Sequence, residues 1–349
     1  MIKIQKHIEI VRTNQPGRSS LSQASCDAIR HVLLQHYATV GMTLINSESD
    51  LAALVAKQPD LVFSGIKYIN NTMDDNQVRH KIWVAEYLHA HGIAHTGSPQ
   101  PAIKLELNKE LAKQRIMQRG LRTADFTVLR QDESYSELLR NAQYPLFIKP
   151  STLGGGQGIA DDSVIRDVLG LETKIIALRA AYDSDIIVES YLAGNEYSVS
   201  VLRDQLSDEL LIMPVQMVTI ANSRGDHVLT NTVKTNDEET AIPVTDLLIK
   251  QKVSRLARRV FEALGARDYG RIDIRLDDAG VPHFLEANLI PSLISGYGSF
   301  PKSCLINRGL SYDAMILSIV WLGLHPSEDT HDAHIGAVES PSLDPVLAT

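Results

Sequence analysis

Cysteine is nearly absent from this chain: Cys26 and Cys304 are the only two in 349 residues. Two isolated thiols make no disulfide framework, and the pattern fits a reducing compartment. No apolar run approaches the roughly 20 residues that a membrane-spanning helix needs. The stretch MIKIQKHIEIVRTN alternates polar and apolar residues and carries no signal-peptide core, so a cytoplasmic location and no membrane partner are expected. A basic surplus is also missing. The formal net charge is −8, which removes the footprint of a nucleic-acid partner while leaving room for a local nucleotide site. What is there is an ordinary globular composition, 44% hydrophobic and 22% charged, long enough for two or three domains with substantial cores.

Strands and helices alternate along the first hundred residues. Lys6 to Arg12 reads as a buried strand, and Ser20-Leu21-Ser22-Gln23 has capping-box spacing that opens a helix through about Tyr37. Val40 to Ile45 and Leu61 to Ile66 read as strands, Glu48 to Lys57 and Gln77 to His91 as helices, with a short strand near Ile93. This order predicts a doubly wound parallel sheet over residues 1–103. A long helix from Pro101 to Gln118 then leads into a second unit, 104–192. Its strands begin at Gly120-Leu121 and include Phe126 to Leu129, Pro145 to Pro150 and Asp185 to Leu192. A third unit, 193–325, starts with the strand near Glu196 to Val201 and ends with a helix from Tyr312 to Leu322. The tail 326–349 mixes Ser, Pro, Asp and His without periodicity and is expected to be flexible.

The chemistry concentrates in the third unit. Gly270 to Arg275 and His283 to Pro291 are apolar runs interleaved with charge, separated by the turn signal Asp277-Asp278-Ala279-Gly280. Alternation puts Arg271 and Asp273 on one face of the first strand, and Glu286 and Asn288 on one face of the second. A hairpin can bring all four to one patch. Two carboxylates and an amide oxygen suit Mg²⁺ shared with substrate phosphates, and an arginine beside them can grip a phosphoryl group. A solvated polar face on an edge hairpin is the plainer alternative.

Ser151 to Gly158, with Gly154, Gly155 and Gly156 at its centre, follows the strand ending at Lys149. Glycines let backbone amides approach an anion. No Gly-Lys-Ser/Thr follows, so this is not a P-loop. Lys109 and Lys113 lie four apart on one helix face, a spacing most often found solvated. Glu189 and Glu196 flank the Leu-Ala-Gly-Asn turn, where a carboxylate could accept ribose hydroxyls.

In their order along the chain these elements resemble the ATP-grasp superfamily, and within it most closely the D-alanine–D-alanine ligases. The elements are Thr96-Gly97-Ser98-Pro99, Asn108-Lys109, Phe147 to Pro150 with its glycine loop, Val188 to Glu196, Gly270 to Asp273, and Leu285 to Asn288. The resemblance covers about residues 1–325. It implies an α/β and α+β architecture, the ATP-grasp fold with an N-terminal doubly wound domain. It implies a ligase that joins a carboxylate to an amine through an acyl phosphate, with ATP and two Mg²⁺ ions as cofactors, Mn²⁺ being an alternative, and small-molecule substrates. A homodimer is left open. Lys109, Lys149 and the glycines Gly154 to Gly156 would contact phosphates. Glu189, Leu192 and Glu196 would hold adenine and ribose, with Phe147 and Leu285 as walls. Asp273, Glu286 and Asn288 would ligate metal. Arg271, Lys234 and Ser292 would carry catalytic roles, Lys234 on a mobile lid spanning about Ile220 to Ile242.

The amino-acid-binding positions depart from that family. Arg18 stands where a glutamate precedes the Ser-Leu that opens the first helix, and Gly65 to Thr72 replaces a His-Gly segment. A loop serine becomes Gly155, a tyrosine becomes Thr235, a Pro-Gly becomes Pro291-Ser292, and a substrate-binding serine falls near Tyr297 and Gly298. Different substrates are therefore expected. The alternatives are a conventional D-alanine–D-alanine ligase, a kinase that stops at phosphoryl transfer, and a non-catalytic nucleotide-binding protein.

Overall fold

The computed structural model describes residues 2–15, 21–70, 80–222, 224–228, 230 and 239–326. Strand β1 (Ile4–Arg12) lies between β2 (Tyr37–Leu44) and β3 (Leu61–Ser64), parallel to both. Parallel neighbours need crossovers, supplied by α1 (Gln23–His36) and α2 (Glu48–Ala56). Helix α1 starts later than the Ser20 spacing suggests. Ser22 is its N-cap, the hydroxyl accepting the Ser25 N–H at 3.1 Å. At α2, Ser47 and Asp50 cap each other reciprocally.

The helix expected over Gln77 to His91 is only half present. Residues 77–79 lie outside the described residues. Lys81–Trp83 forms β5, antiparallel to β4 (Tyr68–Asn70), and only Val84–Ala90 is helical, α3. Ile82 packs on the local core and the Trp83 ring sits 5.3 Å from that of Tyr68. Tertiary pairing has overridden local propensity there. Near Ile93 the expected strand reduces to one bridge between Val62 and His95.

The helix expected from Pro101 to Gln118 is two helices, α4 (Gln100–Glu106) and α5 (Lys109–Gln118). Asn108 turns extended between them, and its side chain accepts the Leu111 N–H at 3.0 Å. That break makes Lys109 the first residue of a fresh helix. Gly120, placed in a strand from sequence, ends α5 with φ 65°.

The second sheet, antiparallel, runs β6 (Phe126–Leu129), β9 (Ile186–Ser190), β7 (Leu146–Pro150), β8 (Val164–Ile165), with α6 (Ser136–Asn141) between β6 and β7 in the chain. Ile148 and Val188 pack on Leu171, Ile175 and Leu178 of α7 (Val168–Ala181) behind it. The third sheet, also antiparallel, has the order β12 (Glu239–Pro243), β11 (Leu210–Thr219), β10 (Glu196–Arg203), β13 (Tyr269–Leu276), β14 (Pro282–Asn288). One face buries Val199, Ile272 and Ile274 against Val253, Val260 and Phe261 of α8 (Leu247–Ala263). Each such side chain contributes about 1.5–3 kcal/mol by burial. The other face is covered at one end by α9 (Ser299–Arg308), and the rest of it looks across a cleft at the second sheet.

The last helix among the described residues, α10 (Tyr312–Leu324), falls in the third unit by chain order, yet it packs on the first sheet. Its Met315, Ile316 and Ile319 share a core with Ile8, Ile10, Ile29 and Leu33. Of the tail 326–349, residues 327–349 lie outside the described residues. Among the described residues, no helix is long and apolar enough to cross a membrane.

Candidate active site

The hairpin pairs as its pattern predicts. Arg271 stands opposite Asn288 and Asp273 opposite Glu286, with one irregularity after Asp273. The turn is held by Asp277, whose Oδ1 accepts the N–H groups of Ala279 and Val281, and Gly280 takes φ 72°. Directly opposed residues share a face, so the two carboxylates meet. Asp273 is buried and fully engaged. Arg271 donates to it twice, at 2.9 and 2.8 Å, Ser198 Oγ donates at 3.0 Å and Asn288 Nδ2 at 3.1 Å. Arg271 also reaches Ser299 Oγ at 3.2 Å.

Two opposed carboxylates with an amide beside them fit Mg²⁺ that completes its shell with water and phosphate oxygens. Among the described residues no cluster of three His, Cys, Asp or Glu could form an all-protein cage. The donor set is therefore the partial kind that a nucleotide-borne magnesium needs. Asp273, Glu286 and Asn288 would hold it.

Lys109 connects this patch to the glycine loop. Its Nζ donates to the Leu153 carbonyl and lies 3.7 Å from Glu286 Oε2. In the loop, Gly155 and Gly156 have φ 64° and 80°, and a Cβ at Gly154 or Gly155 would meet nothing within 4 Å. The backbone there is open to a ligand. At Gly158 a Cβ would come within 2.6 Å of Pro150, so only glycine lets the loop fold back on β7.

Beneath the loop lies a charge cluster that the sequence did not reveal. Glu189 Oε1 accepts from Lys149 Nζ at 2.6 Å, and its Oε2 lies 2.8 Å from Lys113 Nζ. Lys113 also donates to Thr123 Oγ1 at 2.5 Å. All three charged side chains are buried, Lys113 completely. Burial alone would push the Glu189 carboxyl up, but the two ammonium groups outweigh it and hold it at about 2. Burial pulls Lys113 down to about 8, with Glu189 opposing. The expectation that Glu189 accepts ribose hydroxyls meets a carboxylate already engaged by two lysines. Lys113, read as a solvated partner of Lys109, is the buried charge beneath the loop that sequence reasoning missed. Its signal was position: it lies three residues before buried Ile116 and beside buried Ala112, on the inner face of α5.

The cleft between the two sheets encloses about 610 Å³ of empty space, its open mouth included. Phe147, Leu192 and Leu285 give it apolar walls, Lys149 and Glu196 polar ones, and Asp273 with Glu286 close one end. These residues were singled out from sequence as a nucleotide and metal set, and they come together here. Tyr191 and Val228 also line the cleft, as does Arg275, which no motif named. Arg275 shares the cleft-facing side of β13 with Arg271 and Asp273, two residues further along the same alternation.

The remaining expected site residues divide. Ser292 and Tyr297 are half-buried in the connection between β14 and α9. Gly298 is buried at the α9 N-cap, and a Cβ there would sit 2.9 Å from the Ser292 carbonyl. The hydroxyl that meets Arg271 belongs to its neighbour, Ser299. Arg18 and Lys234, with Thr235, lie outside the described residues.

Comparison with known proteins agrees with the geometry. A family model described as "D-ala D-ala ligase C-terminus" matches residues 116–321, more than half the chain. A D-alanine–D-alanine ligase of Cupriavidus metallidurans is 30% identical over 251 residues, covering 68% of this chain and 71% of that protein. One of Geobacter sulfurreducens is 27% identical over 229 residues, covering 66% and 69%. Among solved structures, a D-alanine–D-alanine ligase from Bacillus anthracis complexed with ATP superposes with a TM-score of 0.71. It covers 92% of this chain and 98% of the other at 18% identity, which speaks for the fold alone. The chain belongs to the D-alanine–D-alanine ligase family and is an ATP-dependent ligase of the ATP-grasp fold.

Proposed function

We propose that this enzyme joins a carboxylate to an amine through an acyl phosphate. The observation that carries the reading is the convergence, at one end of the cleft, of Lys109, the glycine loop and the opposed pair Asp273 and Glu286. A carboxylate is a poor acyl donor. Transfer of the γ-phosphoryl group of ATP to its oxygen makes a good leaving group. The amine nitrogen then attacks the carbonyl carbon, the bond to phosphate breaks, and a proton leaves the nitrogen. Phosphoryl transfer depends on positioning and charge neutralisation. Magnesium, bound with the nucleotide, would neutralise charge on the phosphates; two ions are proposed, with Mn²⁺ able to substitute.

The chain's own groups supply the rest. Lys109 sits between the loop and Glu286, and Lys149 between the loop strand and the cleft. Arg271, oriented by both Asp273 oxygens, would serve as the stabilising cation once phosphoryl oxygens compete for it. Ser299 Oγ accepts from Arg271 at 3.2 Å, and Ser292 is proposed to act from the connection between β14 and α9. Phe147, Leu192 and Leu285 would enclose the base, and Glu196 would take the ribose diol. Lys234 would reach the site from a lid between β11 and β12. That lid is shorter than the expected 220–242, because Glu239 to Ile242 pair with β11. Closed, it would exclude water that hydrolyses an acyl phosphate.

Lys149→Ala should weaken ATP binding about tenfold or more, since a charge-assisted contact contributes about 1.5–3 kcal/mol. Glu189 would keep Lys113, so the fold should survive. Unchanged ATP affinity by calorimetry would remove Lys149 from the phosphate site.

For the substrates, we propose that the first is not D-alanine. Arg18 in place of a glutamate inverts the charge offered to an ammonium, and it would favour a carboxylate, phosphate or carbonyl-rich group. Gly155, with open space around its Cβ position, adds room. The names of the relatives favour the conventional reading instead. A panel of amino acids and small acids, followed by ADP release and mass spectrometry of the product, decides. Robust D-alanyl-D-alanine synthesis, indifferent to Arg18→Ala, would restore the conventional assignment. ADP without an amide product would indicate a kinase, and ATP binding without turnover a nucleotide-binding protein.

A further inference from the structure

Arg275 is a buried cation in the wall of the cleft, and nothing in the ligase chemistry accounts for it. It stands directly opposite Glu196 across the β10–β13 pairing, on the face that carries Arg271 and Asp273. Its Nη1 donates to Glu196 Oε2 at 3.3 Å. Its Nη2 donates to the Tyr191 hydroxyl at 3.3 Å and to the His227 carbonyl at 2.8 Å. The guanidinium carbon lies 5.4 Å from the Tyr191 ring centroid. Arginine Nε is a donor only, and here, among the described residues, it is buried with no hydrogen-bond partner.

The distances separate these contacts. Charge-assisted bonds run at about 2.7–2.9 Å. Only the bond to His227 has that length; those to Glu196 and Tyr191 are long. The guanidinium is thus firmly spent on the His227 segment and loosely spent towards the cleft. The buried Nε is closed off from the cleft, so an occupant meets Arg275 through Glu196, Tyr191 and the His227 segment. The segment that Arg275 holds is also part of the pocket, because Val228 lines it. From the other side the same segment is anchored by Arg166, whose two terminal nitrogens meet Asp226 at 3.0 and 2.7 Å.

We propose that Arg275 determines nucleoside specificity: it orients Glu196 towards the ribose diol and fixes the Val228 roof through His227. This rests on the assignment of the cleft to ATP. The ligand class is a purine ribonucleotide, and Arg275 acts on the ribose hydroxyls mainly through Glu196.

The test compares ATP with 2′-deoxy-ATP. Dissociation constants are measured by calorimetry in Mg²⁺ for the full chain, Arg275→Met, Arg275→Lys and Glu196→Gln, with thermal melts of each. Wild type should prefer ATP by about tenfold, the size of one charge-assisted contact. Arg275→Met should bind both nucleotides more weakly and lose most of that preference, as should Glu196→Gln. Arg275→Lys, which keeps the charge but not the planar fork, should retain only part of it and serves if the methionine variant melts early. A folded Arg275→Met or Arg275→Lys protein with wild-type discrimination overturns the proposal, as does a wild type indifferent to the 2′-hydroxyl. A wild type that binds neither nucleotide overturns the assignment of the cleft itself.

Discussion

Glu286→Gln should lower turnover by at least about a hundredfold and leave the melting temperature nearly unchanged. The two expectations come from the same geometry. Glu286 faces the cleft, its side chain a quarter exposed, opposite Asp273 and 3.7 Å from Lys109. Glutamine keeps the volume and one oxygen, so packing is preserved. It removes the charge that, with Asp273, would retain magnesium on the phosphates. Removing a single preorganised electrostatic group commonly costs 10²–10³ in rate, and metal charge neutralisation is among the larger catalytic contributions. Turnover should also fall to background on chelation, and excess Mg²⁺ should recover part of the variant's activity by mass action. Ordinary activity of the variant at ordinary Mg²⁺ would take Glu286 out of the metal site.

Glu189→Leu should be the most destabilising single change near the cleft. It leaves Lys113 and Lys149 buried without their shared counter-charge. Breaking a buried charge pair by removing one partner costs about 3–5 kcal/mol, which for a chain of 349 residues corresponds to roughly 4–7 °C in melting temperature. Acid should act on the wild type through the same group. The Glu189 carboxyl is held below its ordinary 4.5, at about 2. A depressed carboxyl contributes stability that is fully present above 4.5 and lost as pH falls from 4.5 towards 2. That component should vanish from the pH dependence of Glu189→Leu. Equal melting temperatures of the two proteins at neutral pH would show that the cluster contributes nothing.

The metal hairpin was legible because its information is local. A period of two and a turn signal fix which side chains share a face, and Asp273 opposite Glu286 follows. The same alternation, carried two residues on, would have found Arg275. Lys113 was hidden for a different reason. Whether a lysine is buried depends on a counter-charge, and Glu189 comes from a strand of the second sheet, brought to α5 by the fold alone. Lys81 to Trp83 read as helix because its strand partner, Tyr68 to Asn70, lies across a chain reversal that no periodicity announces. The break at Asn108 was readable in principle as a capping residue followed by a charged first turn. The apolar continuity of the surrounding segment obscured it.

The seating of α10 on the first sheet has a consequence for biosynthesis. Ile8 and Ile10 must wait for Met315, Ile316 and Ile319 before that face is closed. Roughly 300 residues of chain separate the two, which at ordinary ribosomal speed is a delay on the order of 15–60 s. During that interval β1 carries an uncovered apolar face. A nascent chain arrested before residue 312 should therefore bind a holdase chaperone, and synthesis and release of a chain that includes α10 should free it. The first sheet is thus completed late, and β1 is secured only when α10 arrives.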